Sequence, residues 1–181
     1  MTTYIALLRG INVGGNSRVP MADLRQVASD AGFAHVATLL NSGNLVLTTA
    51  DDATAVASRL RSGLRERLGL DVDTIVVTAA RWDGIVAANP FPEQAVTDPA
   101  HLLVTCYLRT PEPDRLAAFD PAAFGPEQMR WVDGVSYTWY PVDIGHSKLT
   151  PAVLLRGLGV AGTARNWSTV LKLQALANTA G

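Results

Sequence analysis

The sequence predicts an α+β fold, antiparallel sheets covered by helices, and three observations carry that prediction. Over residues 1–80, apolar β-favouring runs and helical periodicity follow one another in the order β-α-β-β-α-β. From residue 101 the same order of elements begins again, with no residue-level repeat visible between the halves. Between Gln128 and Tyr140 two strand-like runs meet at Asp133-Gly134, a residue pair suited to a two-residue hairpin turn. The β-α-β-β-α-β order is that of the ferredoxin-like module. We therefore expect two ferredoxin-like subdomains, 1–80 and 101–181, joined by a connecting helix and an Asn-Pro-Phe-Pro loop over 81–100.

Each element has its own warrant. Tyr4 to Leu8 is an apolar run long enough for a buried strand. Met21, Leu24, Val27, Ala28 and Ala31 recur at helical spacing behind Pro20 and stop at Gly32. Val36–Leu40 and Leu45–Thr48 read as strands hinged at Asn41-Ser42-Gly43-Asn44. Val56, Leu60, Leu64 and Leu68 repeat at i+4, with Asp51 or Asp52 as a cap and Gly69 as the stop. Thr74 to Thr78 completes the first half. In the second half, a short helix near Arg81–Ala88 precedes a strand over His101–Leu108 and a helix over Asp114–Phe119. The hairpin register follows from its turn: Val132 faces Val135, Arg130 faces Tyr137 and Gln128 faces Trp139, with Met129 and Trp131 on the other side. Helical spacing returns after Pro151 and again from Trp167, where Asn166 is the natural cap and Val170, Leu173, Leu176 and Ala177 form the stripe.

Composition narrows the function classes. The 181 residues are 48% hydrophobic, enough for a sizeable core, and 15 Lys plus Arg nearly balance 16 Asp plus Glu. Nucleic acid is thereby the weaker partner hypothesis. Cys106 is the single cysteine, in an apolar run, so we expect a buried core thiol, no intrachain disulfide and no cysteine-based zinc cluster. No run approaches membrane-spanning length and the N-terminal apolar stretch is too short for a signal peptide, which points to a cytoplasmic protein. Nothing sets the oligomeric state.

The chemistry concentrates in polar breaks. Leu7-Leu8-Arg9-Gly10-Ile11-Asn12-Val13-Gly14-Gly15-Asn16 is an apolar strand entering a glycine-rich turn, where backbone N–H groups can converge on an anion. Asn16-Ser17 stands where a phosphate-binding P-loop needs Lys-Ser/Thr, and the glycines lack the dinucleotide-loop pattern. No cofactor is therefore expected. Asn41 to Asn44 form a second break and Thr163 to Trp167 a third, where Arg165-Asn166 at a helix start would suit an anion. His35, His101 and His146 show no metal-ligand spacing, and no nucleophile or general acid–base pair stands out. Arg59, Arg61, Arg65 and Arg67 read as a solvated helix face. Arg130, Tyr137 and Trp139 could form a stacking face, with packing the commoner use of such aromatics.

Taken together, the Leu8–Gly15 octet, Met21-Ala22-Asp23-Leu24-Arg25, Ser42-Gly43-Asn44, Asn89-Pro90-Phe91-Pro92, Ser147-Lys148-Leu149 and Thr163-Ala164-Arg165-Asn166-Trp167 resemble a bacterial domain-of-unknown-function family, number 1697. The resemblance implies two ferredoxin-like subdomains in a cytoplasmic protein, and assigns no catalytic residue. Its recurring polar positions correspond to Arg9, Asn12, Ser42, Asn44, Lys148, Arg165 and Asn166, while Asn41 departs from the glutamine expected before Ser-Gly-Asn. The leading expectation is a site for a small anionic, phosphate- or nucleotide-like ligand built from Arg9, Gly10, Asn12, Gly14, Gly15, Asn16, Ser42, Asn44, Lys148, Arg165 and Asn166. The alternatives are an enzyme of unidentified chemistry using the same pocket, and a nucleic-acid or protein interaction module.

Overall fold

The computed structural model describes residues 1–12 and 17–180. By contact the chain falls into two units, one of Met1–Gly84 with the chain from Leu171 onward, the other Ile85–Val170.

In the first unit the elements are β1 (Thr2–Leu8), α1 (Met21–Asp30), β2 (Ala34–Leu39), β3 (Asn44–Thr49), α2 (Ala53–Leu68) and β4 (Thr74–Thr78). The sheet runs β2-β3-β1-β4 and the pairs are antiparallel, the ferredoxin-like arrangement. Tyr4, Ala6 and Leu8 alternate toward a core shared with Leu24, Val27 and Ala28 of α1 and Val56, Leu60 and Leu64 of α2. Ile5, Leu7 and Val46, on the opposite sheet face, are buried too, which is why β1 reads as a continuous apolar run instead of an alternating one. Of the two cap candidates for α2, Asp52 takes the role, accepting from the Ala55 amide at 2.8 Å. Asp51 instead holds Arg59. Gly69, at φ 67°, ends the helix with its N–H on the Arg65 carbonyl.

The second unit carries α4 (Pro92–Thr97), β5 (Leu102–Tyr107), α5 (Pro113–Ala118), a 3-10 turn at Pro121–Ala123, β6 (Gln128–Val132), β7 (Val135–Trp139), α6 (Pro151–Leu158) and β8 (Gly162–Asn166). In chain order α3 (Ala79–Ala87) follows β4, and α7 (Trp167–Thr179) follows β8. The second sheet, β6-β7-β5-β8, has the same topology as the first. The hairpin register is Val132 opposite Val135, Arg130 opposite Tyr137 and Gln128 opposite Trp139, with Asp133 and Gly134 both at positive φ in the turn. Tyr107, Tyr140, Leu149, Leu154 and Leu158 form the helix-side core, against which Met129 and Trp131 pack.

Two stretches differ from the sequence reading. Pro92 does not end a loop but starts α4, where its missing N–H is no loss at the first helical position. The third polar break is largely a strand: Gly162–Asn166 is β8, paired with β5 through Val104–Arg165 and Leu103–Asn166. Arg165 is thus a buried strand residue and not part of an exposed helix start.

Candidate functional site

At one end of the first sheet, two loops are tied together by one side chain. As β1 ends, the Leu8 amide bonds the Gly43 carbonyl (2.8 Å) and the Arg9 amide bonds the Asp73 carbonyl (3.0 Å), so the strand leaves the sheet between the β2–β3 turn and the entry to β4. Gly10 then turns at φ 67° and Asn12 at φ 56°. The Asn12 amide donates to Val19 O (3.0 Å) and Asn41 O (2.6 Å), and its Oδ1 accepts from the Val19 N–H (2.9 Å). Both its donor hydrogens are spent on backbone, so Asn12 closes the loop on itself and latches it to the neighbouring turn.

That turn is equally constrained. Leu40, half exposed, sits at φ 58°, a left-handed conformation that costs a branched side chain on the order of 1 kcal/mol or more. Gly43, at φ 74°, packs so closely that a Cβ there would fall 2.6 Å from Ile11 Cδ1. Asn44 is fully buried and donates to Leu39 O (2.8 Å) and Ser42 Oγ (2.9 Å). Ser42 is on the exposed side of the turn.

Arg9 leaves this platform with its side chain 40% exposed and one bond to the Asp73 carboxylate, Nη2 to Oδ2 at 3.2 Å. Asp73 also faces Arg61 Nη1 at 3.6 Å. Arg61 grips Asp71 through two bonds, and Arg65 reaches Asp71 at 3.0 Å. The hydrogen bond from Arg61 is the main reason the Asp71 carboxyl is held down at about 2. Asp71 and Asp73, two residues apart along an extended chain, meet arginines spaced i, i+4 on α2. Those two spacings make the α2 pairs legible in the sequence, but neither points to Arg9, which lies 64 positions from Asp73.

The other predicted site residues are placed as follows. Gly14, Gly15 and Asn16 lie outside the described residues. Lys148, Arg165 and Asn166 belong to the second unit. Lys148 is exposed beside Ser147, whose hydroxyl donates to Glu127 Oε1 and accepts from the Leu149 N–H at 3.0 Å. Glu127 was not singled out from the sequence; its buried Oε2 has no hydrogen-bond partner among the described residues. Arg165 Nη1 donates to Thr163 Oγ1 and to Ala164 O, each at 2.8 Å, and burial pushes its guanidinium down to about 10. Asn166 caps α7, accepting from the Thr169 N–H at 3.0 Å. These bonds of Arg165 Nη1 and Asn166 Oδ1 are made within the second unit.

The surfaces considered for nucleic acid look different once folded. Arg59, Arg61, Arg65 and Arg67 are paired with Asp51, Asp71 and Asp73, and Asp23, so the helix face is charge-neutralised. A groove of about 460 Å³ between α1 and α2 is bordered by two of them, Arg59 and Arg67. On the hairpin, Tyr137 is completely buried and donates its hydroxyl to the Ile85 carbonyl (2.5 Å), and Trp139 donates to Asp98 at 3.0 Å. These aromatics are packed and bonded, leaving no stacking platform of Tyr137 and Trp139. Among the described residues no group of three or more His, Cys, Asp or Glu is arranged to hold a metal ion, and no helix is long and apolar enough to cross a membrane.

With this geometry in hand, comparison with known proteins is decisive at the family level. Residues 1–137 match the family described as "Protein of unknown function (DUF1697)". The chain belongs to the DUF1697 family. A solved structure, that of the conserved bacterial protein SP0830 from Streptococcus pneumoniae, superposes with a TM-score of 0.74 at 20% identity, covering 97% of this chain and 98% of that one. At that identity the likeness speaks for the fold alone: a DUF1697 chain of two ferredoxin-like subdomains. No curated protein matches this chain.

Proposed function

We propose that this DUF1697 protein binds a small phosphate-bearing anion at the loop end of its first unit. Arg9 is the charged contact, the turn at Gly10 leaves the backbone unscreened by a side chain, and Ser42 adds a hydroxyl. Asn12 and Asn44 shape the platform. The observation that carries this reading is the concentration of left-handed backbone there: Asn12 and Leu40, neither a glycine, are held at positive φ in two loops that Asn12's own side chain joins. Backbone strain of this kind persists where surrounding contacts over-determine it, and it collects at ligand sites. Beside it stands an arginine with a single carboxylate bond and a half-exposed side chain. A bacterial cytoplasmic setting fits a chain whose one cysteine is a buried free thiol.

Thermal unfolding of the whole chain with inorganic phosphate, pyrophosphate and nucleotides tests the reading. A ligand that binds only the native state raises Tm by mass action, about 2–4 °C for each kcal/mol of linkage in a chain of this size. The expected result is a rise in wild type and in Arg109→Ala that disappears in Arg9→Ala. No rise with any of these probes at concentrations on the order of 10 mM, where even millimolar Kd values register, overturns it.

A further inference from the structure

We propose that Asp73 is an intramolecular competitor for the Arg9 guanidinium and sets the affinity of the anion site, an inference that rests on the anion reading above. Arg9 has two attachments to Asp73, and they are separable. The backbone one, Arg9 N–H to Asp73 O at 3.0 Å, fixes where the loop leaves the sheet. The side-chain one, Nη2 to Oδ2 at 3.2 Å, is single, with both partners partly exposed at 40% and 30%. A bidentate arginine–carboxylate pair would hold the guanidinium firmly; one bond in a wet setting does not.

Asp73 is itself shared. Its Oδ1 lies 3.6 Å from Arg61 Nη1, while Arg61 spends its better bonds on Asp71. When Arg9 turns to an incoming anion, Asp73 keeps a cation within reach, so the exchange strands no carboxylate. Yet while Asp73 is charged it opposes binding twice, by occupying Arg9 and by repelling a second anion. The single bond thus biases the arginine weakly until an anion competes for it, at the expense of affinity.

The measurement is calorimetric titration of the full chain with pyrophosphate. Asp73→Asn leaves the main-chain carbonyl in place and is expected to tighten binding about 3- to 10-fold, the scale of one unit charge removed at a half-exposed site. Asp71→Asn removes the same charge from the same network without touching Arg9, and is expected to change Kd by about 2-fold or less. In the Arg9→Ala background the Asp73→Asn gain disappears, because the two act as one pair. Asp73→Glu, which keeps the charge and moves it, serves as the second variant and is expected to stay near wild type. An unchanged or weaker Kd in Asp73→Asn, or a gain that persists without Arg9, overturns the role of Asp73. If wild type binds and Arg9→Ala does not while Asp73→Asn is inert, the anion reading survives and this inference alone falls. If no variant binds pyrophosphate, both fall.

Discussion

The two units repeat one topology but build the end of their first strand differently. Each first strand runs out at Leu-Arg, Leu8-Arg9 in one and Leu108-Arg109 in the other. In each, an amide at that point bonds the carbonyl just before the last strand, Arg9 to Asp73 and Leu108 to Ala161. Beyond it the designs part. Arg109 donates to the carbonyl of Gly159, the left-handed residue that ends α6, and the chain needs only residues 108–112 to reach α5. Arg9 rests on a partly exposed carboxylate, and residues 9–20 intervene before α1, with Gly10 and Asn12 at positive φ. An arginine on a helix-terminal carbonyl serves the fold. One on a single, partly exposed carboxylate, beside a loop longer than the connection requires, is the easier to exchange. Same scaffold and different loops is how one architecture would host the proposed anion site in its first unit only.

The strongest way to break this comparison is to release the first unit's loop. Asn12→Ala removes three hydrogen bonds and leaves a non-glycine residue at positive φ, and we expect about 2–4 kcal/mol of lost stability in denaturant unfolding. Phosphate binding should disappear with it. A loss under about 0.5 kcal/mol would mean that the latch is not what holds the loops together, removing the main support for a preorganised site.

Legibility divides by sequence separation and not by unit. The second unit's hairpin, with its register, could be read from Asp133-Gly134 and the alternation around it, because turn and pairing are local. α2 was equally open, its cap, stripe and stop lying within one segment. What stayed hidden was non-local. β8 looks like a polar break because Gly162 and Asn166 are residue types depleted in strands and Arg165 is charged, and only pairing with β5 makes it one. Asn12 is visible in the sequence as a loop asparagine, but its role depends on Val19 and Asn41 coming within reach. Arg9 could be named as a site residue, whereas its partner Asp73 lies across the β1–β4 pairing, 64 positions away.

High pH sharpens the contrast from the second unit's side. Tyr107 and Tyr140 are buried there, and loss of solvation pushes each hydroxyl up from 10 to about 12. Both raised groups favour the protonated, folded form. Their contribution is whole below pH 10, where unfolded tyrosine is still protonated, and declines as pH rises from about 10 toward 12. We expect stability to fall by about 2–3 kcal/mol for each tyrosine across that window. Tyr107→Phe should flatten the slope at the expense of its 2.8 Å bond with Ser136. An alkaline limb of the same steepness in Tyr107→Phe and Tyr140→Phe would reject the assignment.

Low pH addresses the first unit, with a smaller effect. Asp71 is lowered from 3.8 to about 2, chiefly by its hydrogen bond from Arg61, so its folded form favours the ionised carboxylate. That contribution is present above about pH 4 and is lost as pH falls through about 2, since protonation of Asp71 then releases Arg61 and Arg65. Because the carboxylate is solvent-exposed, the limb should be shallow and weaken further in high salt. Asp71→Asn is expected to make stability less dependent on pH between 4 and 2 without altering the alkaline limb. If the acid limb is unchanged in Asp71→Asn, the arginine–aspartate chain behind Arg9 is a surface decoration rather than a coupled network, and Asp73 would hold Arg9 without help from α2.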